Sequence, residues 1–301
     1  MICKILLFGS TGMLGTYIHS YFNESTDIEI AKIEYRVTND NLSKLADILV
    51  ENGIDKHTCI INCIGLIPQR KPINIGDHAY YLVNSIFPQV LSSICQKYGA
   101  KMIQPTTDCV YSGTRFFRRC PENPPIPTLS LALHPRSGIV PESRFYTEDD
   151  LPDEPGNYGM SKSLGEPANC TVIRTSIIGC ERFNKRSFLE WVLANSDKEI
   201  SGWSNHYWNG ITCLEYCKII RRIIENDLFW NGVRHIYSPT PVSKYELACM
   251  IRDAFGLDSI RILETKCEKQ VNKTLSSKYE RMFDIPELYE QIKELKHFAL
   301  I

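Results

Sequence analysis

The chain has 301 residues, of which 43% are hydrophobic, and a formal net charge of -1 at pH 7. This length can bury one large core or two moderate ones, and a near-neutral charge is not typical of proteins that bind nucleic acid or an anionic membrane surface. We therefore expect a globular protein whose partners are small molecules, with no nucleic acid and no membrane among them.

Apolar runs alternate with segments of helical periodicity along the first half of the chain. Strands are predicted at residues 3–8, 59–64, 101–104 and 171–175, and helices at residues 13–22, 42–51 and 81–98. This alternation indicates parallel strands joined by helical crossovers. We predict an α/β fold, a Rossmann-type doubly wound parallel sheet with a smaller C-terminal substrate domain.

A glycine-rich turn stands between the first predicted strand and the first predicted helix. Its glycines, Gly9, Gly12 and Gly15, are spaced at three and three, whereas the common dinucleotide fingerprint spaces them at two and three. One glycine opens the tight turn, Gly12 lets the backbone approach a pyrophosphate, and Gly15 lets the helix lie close to the strand. The turn therefore predicts a dinucleotide phosphate site at a helix N-terminus. The residues assigned to this site are Gly9, Thr11, Gly12, Met13, Leu14 and Gly15.

The second predicted strand ends about twenty residues beyond the glycines, where dinucleotide-binding proteins read the adenosine ribose. An acidic residue at the end of this strand favours NAD, whereas Lys32 or Arg36 is placed to neutralise the ribose 2′-phosphate of NADP. The acidic residue here, Glu34, is equally well explained as a strand residue that faces solvent. NADP, as NADPH, is therefore favoured over NAD, with Arg36 as a contact. Further cofactor contacts are predicted after the next strand. The alternative is that these residues only terminate the strand. They are Asn62, Cys63, Ile64 and Gly65.

Prolines crowd the segment at residues 111–155, which lacks clear periodicity. We expect a surface loop here, a proline-rich insertion at about residues 113–155. Beyond residue 180, helices are predicted at residues 187–194, 213–225, 244–255 and 286–295. The predicted division is a dinucleotide-binding domain at residues 1–180 and a substrate-binding domain at residues 181–301.

Tyr158 and Lys162 lie four residues apart on one face of a predicted helix, with Asn157 as its cap. A free tyrosine has a pKa of ~10, so a cation that favours the phenolate suits proton transfer at neutral pH. Lys162 supplies that cation and is placed to bind ribose hydroxyls. Thr107, at the end of a predicted strand, either hydrogen bonds the same carbonyl oxygen as Tyr158 or bonds only its own backbone. The pattern indicates a nicotinamide-dependent reductase.

Six elements occur in one order, at residues 9–15, 83–85, 106–113, 158–162, 208–212 and 243–247. On these elements the chain resembles the extended short-chain dehydrogenase/reductase family, and within it the dTDP-4-dehydrorhamnose reductases. The resemblance implies reduction of the C4 ketone of a nucleotide-linked 4-keto-6-deoxyhexose, with Thr107, Tyr158 and Lys162 carrying the chemistry. It also assigns one residue to the cofactor, Asn84, and three to the nucleotide-sugar substrate, which are Asp108, Trp208 and Asn209.

Cys109 indicates a particular subgroup of this family, because dedicated rhamnose reductases usually carry an aromatic or other inert side chain at this position. In the relatives that join 3,5-epimerisation to 4-reduction and make UDP-rhamnose, a cysteine here is assigned as acid or base toward the carbons flanking the ketone. The chain looks like that subgroup, which implies UDP-L-rhamnose as the product. The second proton-transfer group is then Lys185 or His206, from the substrate domain. The alternative is that Cys109 is a small packed hydrophobic residue.

Other functions stay open at this point. One is a monofunctional dTDP-4-dehydrorhamnose reductase, and another is a non-catalytic regulatory subunit of the methionine adenosyltransferase type, which looks like this family. Arg70 and Lys71 either contact the phosphates of the nucleotide sugar or belong to a solvated turn. A homodimer is one of the assemblies that the sequence leaves open.

The twelve cysteines are scattered along the chain and include no C-x-x-C pair. The apolar run at residues 2–8 is too short for a signal peptide or a membrane span. We therefore expect a cytoplasmic protein with mostly buried free thiols and no metal site.

Overall fold

The structure, a computed structural model, describes residues 1–70, 76–115, 145–183 and 185–298, with the backbone alone at position 70. Its strands are β1 (Lys4–Phe8), β2 (Glu29–Ile33), β3 (Thr58–Asn62), β4 (Lys101–Thr107), β5 (Thr171–Thr175), β6 (Ile177–Ile178), β7 (Glu199–Trp203), β8 (His206–Trp208), β9 (Ile211–Thr212), β10 (Gly232–His235), β11 (Val242–Ser243), β12 (Arg261–Thr265) and β13 (Val271–Asn272). Its helices are α1 (Met13–Ser25), α2 (Leu45–Glu51), α3 (His78–Tyr81), α4 (Phe87–Tyr98), α5 (Asn157–Leu164), α6 (Phe188–Leu193), α7 (Cys213–Glu225), α8 (Lys244–Phe255) and α9 (Leu288–His297).

Six parallel strands form the central sheet, in the order β10-β5-β4-β3-β1-β2. The chain runs from β1 to β2 on one side of it and then returns to β3 on the other side, so the strand order reverses at β1. In such sheets ligands bind outside the carboxyl ends of the strands that flank the reversal. The prediction of a Rossmann-type parallel sheet is confirmed, and the sheet takes its sixth strand from the C-terminal part of the chain.

The strands are apolar on both faces because helices cover both faces of the sheet. Leu7 and Ile61 belong to one core cluster with residues of α1 and α7. Leu6, Phe8 and Ile60 belong to the other cluster, with residues of α2 and α4. Alternate residues of a strand point to opposite faces, and strands buried on both faces therefore read as continuous apolar runs. This is why β1, β3 and β5 lie close to their predicted positions.

The helix predicted at residues 81–98 begins earlier, with α3, and contains a π-helical turn at Leu82–Ile86 before α4. Turns of this kind are frequent at functional sites. This turn carries Asn84 and thereby turns its side chain toward α5, with Asn84 Nδ2 donating to the Ser161 hydroxyl at 3.1 Å.

Helix α5 begins one residue before Tyr158, and its capping residue is Gly156 rather than Asn157. The prediction that Asn157 caps this helix is therefore wrong. The Asn157 amide instead donates to Asp77 at 2.8 Å and accepts from the Tyr81 hydroxyl at 3.0 Å. These bonds tie the start of α5 to α3 and fix where Tyr158 lies.

Short strands form three small sheets besides the central one, in the orders β11-β8-β13, β12-β7 and β6-β9. They were not predicted, because most of these strands have two or three residues and leave no readable period, and the five-residue strands β7 and β12 were not recognised either. Helices α7 and α8 occupy the predicted bounds, and α8 opens with a capping box in which Ser243 and Glu246 exchange hydrogen bonds. Within the described ranges, no helix is long and apolar enough to cross a membrane.

Residues 116–144 of the predicted proline-rich insertion lie outside the described residues. The described parts on either side have little regular secondary structure and include exposed residues such as Leu151, but they also contribute to a buried core. Tyr111 and Tyr146 are fully buried and stack with ring centroids 4.0 Å apart. They form a small core with Leu275, which joins this segment to the C-terminal part of the chain.

Candidate active site

The glycine turn between β1 and α1 is tight and open to an anion. Gly9 has a φ of 72°, and the Gly12 amide donates to the Gly9 carbonyl oxygen at 3.0 Å. Gly12 is the capping residue of α1, and neither a capping side chain nor an acidic residue occupies the first turn. The backbone amides and the positive end of the helix dipole therefore form an anion site at the carboxyl end of β1.

Adding a Cβ would cause a steric clash at one glycine of this turn but not at another. A Cβ at Gly15 would lie 2.1 Å from the Gly9 carbonyl oxygen, whereas a Cβ at Gly12 would lie 3.4 Å from it. We expect Gly15→Ala to destabilise the fold by about 1–3 kcal/mol. Gly12→Ala should leave Tm unchanged but weaken binding of the predicted dinucleotide roughly tenfold, about 1.4 kcal/mol. Thermal melting and a NADPH titration of both variants test this division, and equal losses of Tm would contradict it.

Tyr158 and Thr107 meet where α5 lies beside the end of β4. Tyr158 and Thr107 line one cavity. The Thr107 hydroxyl donates to Asp108 at 3.2 Å and accepts from the Cys109 amide at 3.0 Å, so the local contact is present, and its contact with a substrate carbonyl oxygen stays a prediction. Burial raises the pKa of Tyr158, and Cys109 and Asp108 raise it further. The phenol is therefore neutral at physiological pH and able to donate a proton.

The Lys162 ammonium is anchored to β4, where it donates to the Pro105 carbonyl oxygen at 3.2 Å. Burial lowers its pKa to about 8, against the raising effect of Glu166 and Cys63. Glu166 is itself nearly buried and paired with Arg174. A fixed carboxylate thus supports the ammonium from within the protein. Its expected action on the Tyr158 phenol stays a prediction.

A first cavity of about 460 Å³ opens at the carboxyl ends of β1, β3, β4 and β5. It joins the anion site of α1 to the side chains carried by α5, and it lies where the strand order reverses. The predicted site residues that line it are Gly12, Met13, Leu14, Asn62, Cys63, Ile64, Gly65, Thr107, Cys109, Tyr158 and Lys162. The sequence did not single out Ile67, Pro68, Gln69, Pro105, Thr106, Thr175, Ser176, Ile177 and Glu181, which complete the walls. In the sequence, the only indication of these residues is that they lie at or just beyond the end of a strand.

A second cavity of about 410 Å³ meets the first at a junction formed by Pro68, Cys109 and Tyr158. Its other walls are Tyr80, Glu154, Gly156, Asn157, Gly159 and Lys273. Cys109 and Tyr158 therefore face both cavities, so that a cofactor in one and a substrate in the other would meet at these two side chains. Lys273 was not singled out by the sequence.

Asn84 and Asn209, which were predicted to contact the cofactor and the substrate, hold the protein's own backbone in place. Asn84 is 2% exposed, and its amide bonds both backbone groups of Leu66 as well as Ser161. Asn209 is equally buried and bonds the Leu275 amide and carbonyl groups and the Ser238 carbonyl oxygen. Neither lines the two cavities described above. In the structure both residues hold the protein backbone, and their predicted contacts with cofactor and substrate stay predictions.

The remaining predicted contacts are spread around the site. Exposed positions outside the walls of both cavities are Thr11, Arg36 and Lys185. Asp108 is buried beside Thr107, and the Trp208 ring is buried beneath the Lys244 ammonium at 4.9 Å. The side chain of Arg70 and the whole of Lys71 lie outside the described residues.

A family described as RmlD substrate binding domain matches residues 3–287 of the chain. Among curated proteins, the chain is similar to methionine adenosyltransferase 2 subunit beta of Rattus norvegicus, with 23% identity over 284 residues that cover 85% of this chain and 73% of that protein. The subunit of Bos taurus is 22% identical over 279 residues, with the same coverage of 85% and 73%.

Solved structures share the fold along nearly the whole chain. The dTDP-4-dehydrorhamnose reductase of Bacillus anthracis in complex with NADP has a TM-score of 0.73 and 17% identity, and the match covers 98% of this chain and 99% of that chain. The dTDP-4-dehydrorhamnose reductase of Clostridium acetobutylicum has a TM-score of 0.69 and 17% identity, covering 97% of this chain and 98% of that chain.

Proposed function

The chain belongs to the RmlD substrate binding domain family, and from that premise we propose that it uses NADPH to reduce the C4 ketone of a nucleotide-linked 4-keto-6-deoxyhexose. The observation that carries the proposal is the junction of the two cavities. Tyr158 faces both cavities there, while Thr107 and Lys162 line the first one together with the anion site of α1. The two solved reductases with the same fold support a reductase activity.

The residues of the first cavity fit a nicotinamide dinucleotide, because α1 presents uncapped backbone amides and the cavity continues from them to Lys162. When bound, NADPH supplies the hydride. The Tyr158 phenol donates its proton to the C4 oxygen as negative charge develops there, and the Thr107 hydroxyl hydrogen bonds the same oxygen. The Lys162 ammonium holds ribose hydroxyls and stabilises the phenolate that remains.

We propose NADPH rather than NADH because Lys32 and Arg36 lie exposed on β2 and just beyond its end, where cations can meet a ribose 2′-phosphate. The NADP complex of the Bacillus anthracis reductase agrees with this choice. The test is a panel of UDP- and dTDP-linked 4-keto-6-deoxy sugars, each assayed with NADH and with NADPH by the absorbance of the reduced cofactor. The proposal expects the fastest consumption with NADPH and a UDP-linked sugar.

We further propose that reduction is coupled to 3,5-epimerisation, so that UDP-4-keto-6-deoxyglucose yields UDP-L-rhamnose. Cys109 lines both cavities together with Tyr158, and this shared position supports a thiol beside the phenol. Because the phenol addresses the C4 oxygen, a thiol beside it faces the carbons that flank the ketone. Protons on those carbons are acidified by the carbonyl group, and a thiol can exchange them.

Replacing Cys109 by alanine separates the coupled enzyme from a monofunctional dTDP-4-dehydrorhamnose reductase. We compare the rate on the unepimerised UDP-4-keto sugar with the rate on the already epimerised one. In Cys109→Ala the ratio of the first rate to the second should fall by about 10²-fold or more. Cys267→Ala, another partly buried thiol, is the control and should keep the native ratio. A native ratio in Cys109→Ala would favour the monofunctional reductase.

A non-catalytic subunit is the second candidate, and the similarity to methionine adenosyltransferase 2 subunit beta favours it. The grouping of Thr107, Tyr158 and Lys162 around one cavity argues for chemistry instead. The sugar panel also decides between these two functions. No consumption of either cofactor with any sugar would favour a binding role.

A further inference from the structure

The proposed epimerisation needs a second proton-transfer group beside Cys109, and neither residue predicted from the sequence is placed for it. Lys185 is exposed in a loop, with a φ of 40°. The His206 ring packs against Trp203 with centroids 4.6 Å apart, and its Nε2 contacts the Lys269 carbonyl oxygen at 3.0 Å. Neither lines the cavities that hold the thiol.

The fold brings Lys273 to the thiol instead. The Asn272 amide donates to the Gly113 carbonyl oxygen at 2.8 Å, and the Lys273 amide donates to the Tyr207 carbonyl oxygen at 2.9 Å. Gly113 has a φ of 73°, and a Cβ there would lie 2.6 Å from Val271 Cγ1 and 3.0 Å from Lys273 Cγ. The close backbone approach at this glycine thus carries a lysine from the C-terminal part of the chain into the wall of the second cavity.

Lys273 and Cys109 line the second cavity together, and the positive charge of Lys273 acts on the Cys109 thiol. Burial raises the pKa of Cys109 to about 11, and Asp108 raises it too, whereas Lys273 lowers it. Burial lowers the pKa of Lys273, but the thiol and the carboxylates of Asp108 and Glu154 outweigh burial and raise it. A second cation, Lys244 at the start of α8, faces the same thiol and the Asp108 carboxylate, and burial lowers its pKa. A thiolate at Cys109 would therefore be stabilised by the positive charge of Lys273.

We propose that Lys273 is the proton-transfer partner of Cys109 in epimerisation, an inference that rests on the function proposed above. Starting from thiolate and ammonium, the thiolate removes a proton from a carbon beside the C4 ketone. The C–H bond breaks, an S–H bond forms, and the electron pair moves to the C4 oxygen as an enolate. The Lys273 ammonium then returns a proton to the opposite face of that carbon, so an N–H bond breaks, a C–H bond forms and the carbonyl group is restored. The cycle consumes no oxidant and no reductant.

A proton transfer between the two groups, which line one cavity, closes this cycle. After one inversion the thiol holds the additional proton and the lysine is a neutral amine. A single transfer from sulfur to nitrogen then restores the starting pair. Tyr158 lines the same cavity, so its phenol is available to the oxygen on which the enolate charge gathers. The same set of side chains therefore serves the inversions and the final reduction.

The test follows solvent deuterium entering carbons 3 and 5 of a UDP-linked 4-keto-6-deoxy sugar by NMR, without NADPH. It compares the native protein with Lys273→Met and Lys273→Arg. Arginine keeps the positive charge but does not release its proton near neutral pH. Both variants should lose exchange by about 10²-fold or more, and by a factor at least about ten times greater than their loss of ketone reduction. Lys293→Met, at an exposed lysine of α9, should keep the native rate of exchange.

A second measurement needs no substrate. The rate at which iodoacetamide alkylates Cys109 at a fixed pH, read by mass spectrometry of its peptide, follows the thiolate fraction. Lys273→Met should slow it about tenfold for each unit by which the pKa of the thiol rises. Lys273→Arg should keep a rate near the native one, because the charge remains.

Three results would overturn the proposal. They are exchange that survives in Lys273→Met, exchange that Lys273→Arg preserves, and a native protein that reduces the ketone without exchanging its carbon-bound protons. Failure of the proposed function is seen separately, as a native protein that consumes no NADPH with any ketosugar. In that case slower alkylation of Lys273→Met would still support the pairing of the two groups, and an unchanged rate would overturn it.

Discussion

Replacing Tyr158 by phenylalanine is expected to lower the turnover of ketosugar reduction by about 10²–10⁴-fold while NADPH affinity changes little. The phenol is kept neutral by burial and lies at the junction of the two cavities, so the substitution removes the proposed proton donor. The remaining ring can keep its edge contact with Tyr80, whose centroid lies 6.3 Å away. Steady-state kinetics and a fluorescence titration with NADPH measure the two effects separately.

The matched control for this substitution is Tyr289→Phe. Tyr289 and Lys293 repeat the four-residue spacing on α9, with the ammonium 5.0 Å from the ring centroid, and neither lines the two cavities. Turnover should stay native in the control. Native turnover in Tyr158→Phe would remove the phenol from the mechanism, and a parallel loss of NADPH affinity would indicate damage to the site instead.

The sheet and its cofactor turn were predictable because their signals are local. A strand buried on both faces is apolar along its centre, as β3 is from Cys59 to Ile61, and this pattern identifies it without knowledge of its neighbours. The glycine turn departs from the common spacing, yet the same steric demands recur. A side chain at Gly15 would strike the Gly9 carbonyl oxygen, so a helix packed this closely on its strand requires glycine at that position whatever the spacing.

The roles of the buried amides were not predictable, because their partners are distant in sequence. Asn84 bonds Leu66 and Ser161, which lie 18 and 77 residues away. The motif places this amide near the site but does not show whether a ligand or the protein satisfies it. A buried polar group must find a partner, and here the protein supplies one at every polar atom of the side chain.

The position of Lys273 beside Cys109 was also not predictable from the sequence. Its position depends on a two-residue strand, on the backbone of Tyr207 and on a left-handed glycine at Gly113, none of which has a period that a single sequence displays. The motif around Cys109 indicated that a proton-transfer partner was needed. Only the packing of the C-terminal part against residues 107–113 shows which side chain is beside it.

Lys162 sets the expected pH dependence of reduction. Burial lowers the pKa of its ammonium to about 8, so the group loses its proton as the pH rises through that value. The cation that is proposed to hold ribose and to stabilise the Tyr158 phenolate is then present below this pH and absent above it. With an already epimerised ketone as substrate, which needs no thiolate, kcat/KM should fall toward one tenth for each pH unit above the pKa. Measuring kcat/KM from about pH 6.5 to about pH 9.5 defines the profile.

Lys162→Met tests the same group by removing it. Without the ammonium, kcat/KM at neutral pH should drop by about 10²-fold or more, and the fall at alkaline pH should disappear, because no titrating cation remains to be lost. Lys293→Met should follow the native profile, since its ammonium is exposed and paired with Glu290 on α9. A native profile that stays level to about pH 9.5 would show that the ammonium of Lys162 is not required, and the phenol would then have to donate its proton without a neighbouring charge.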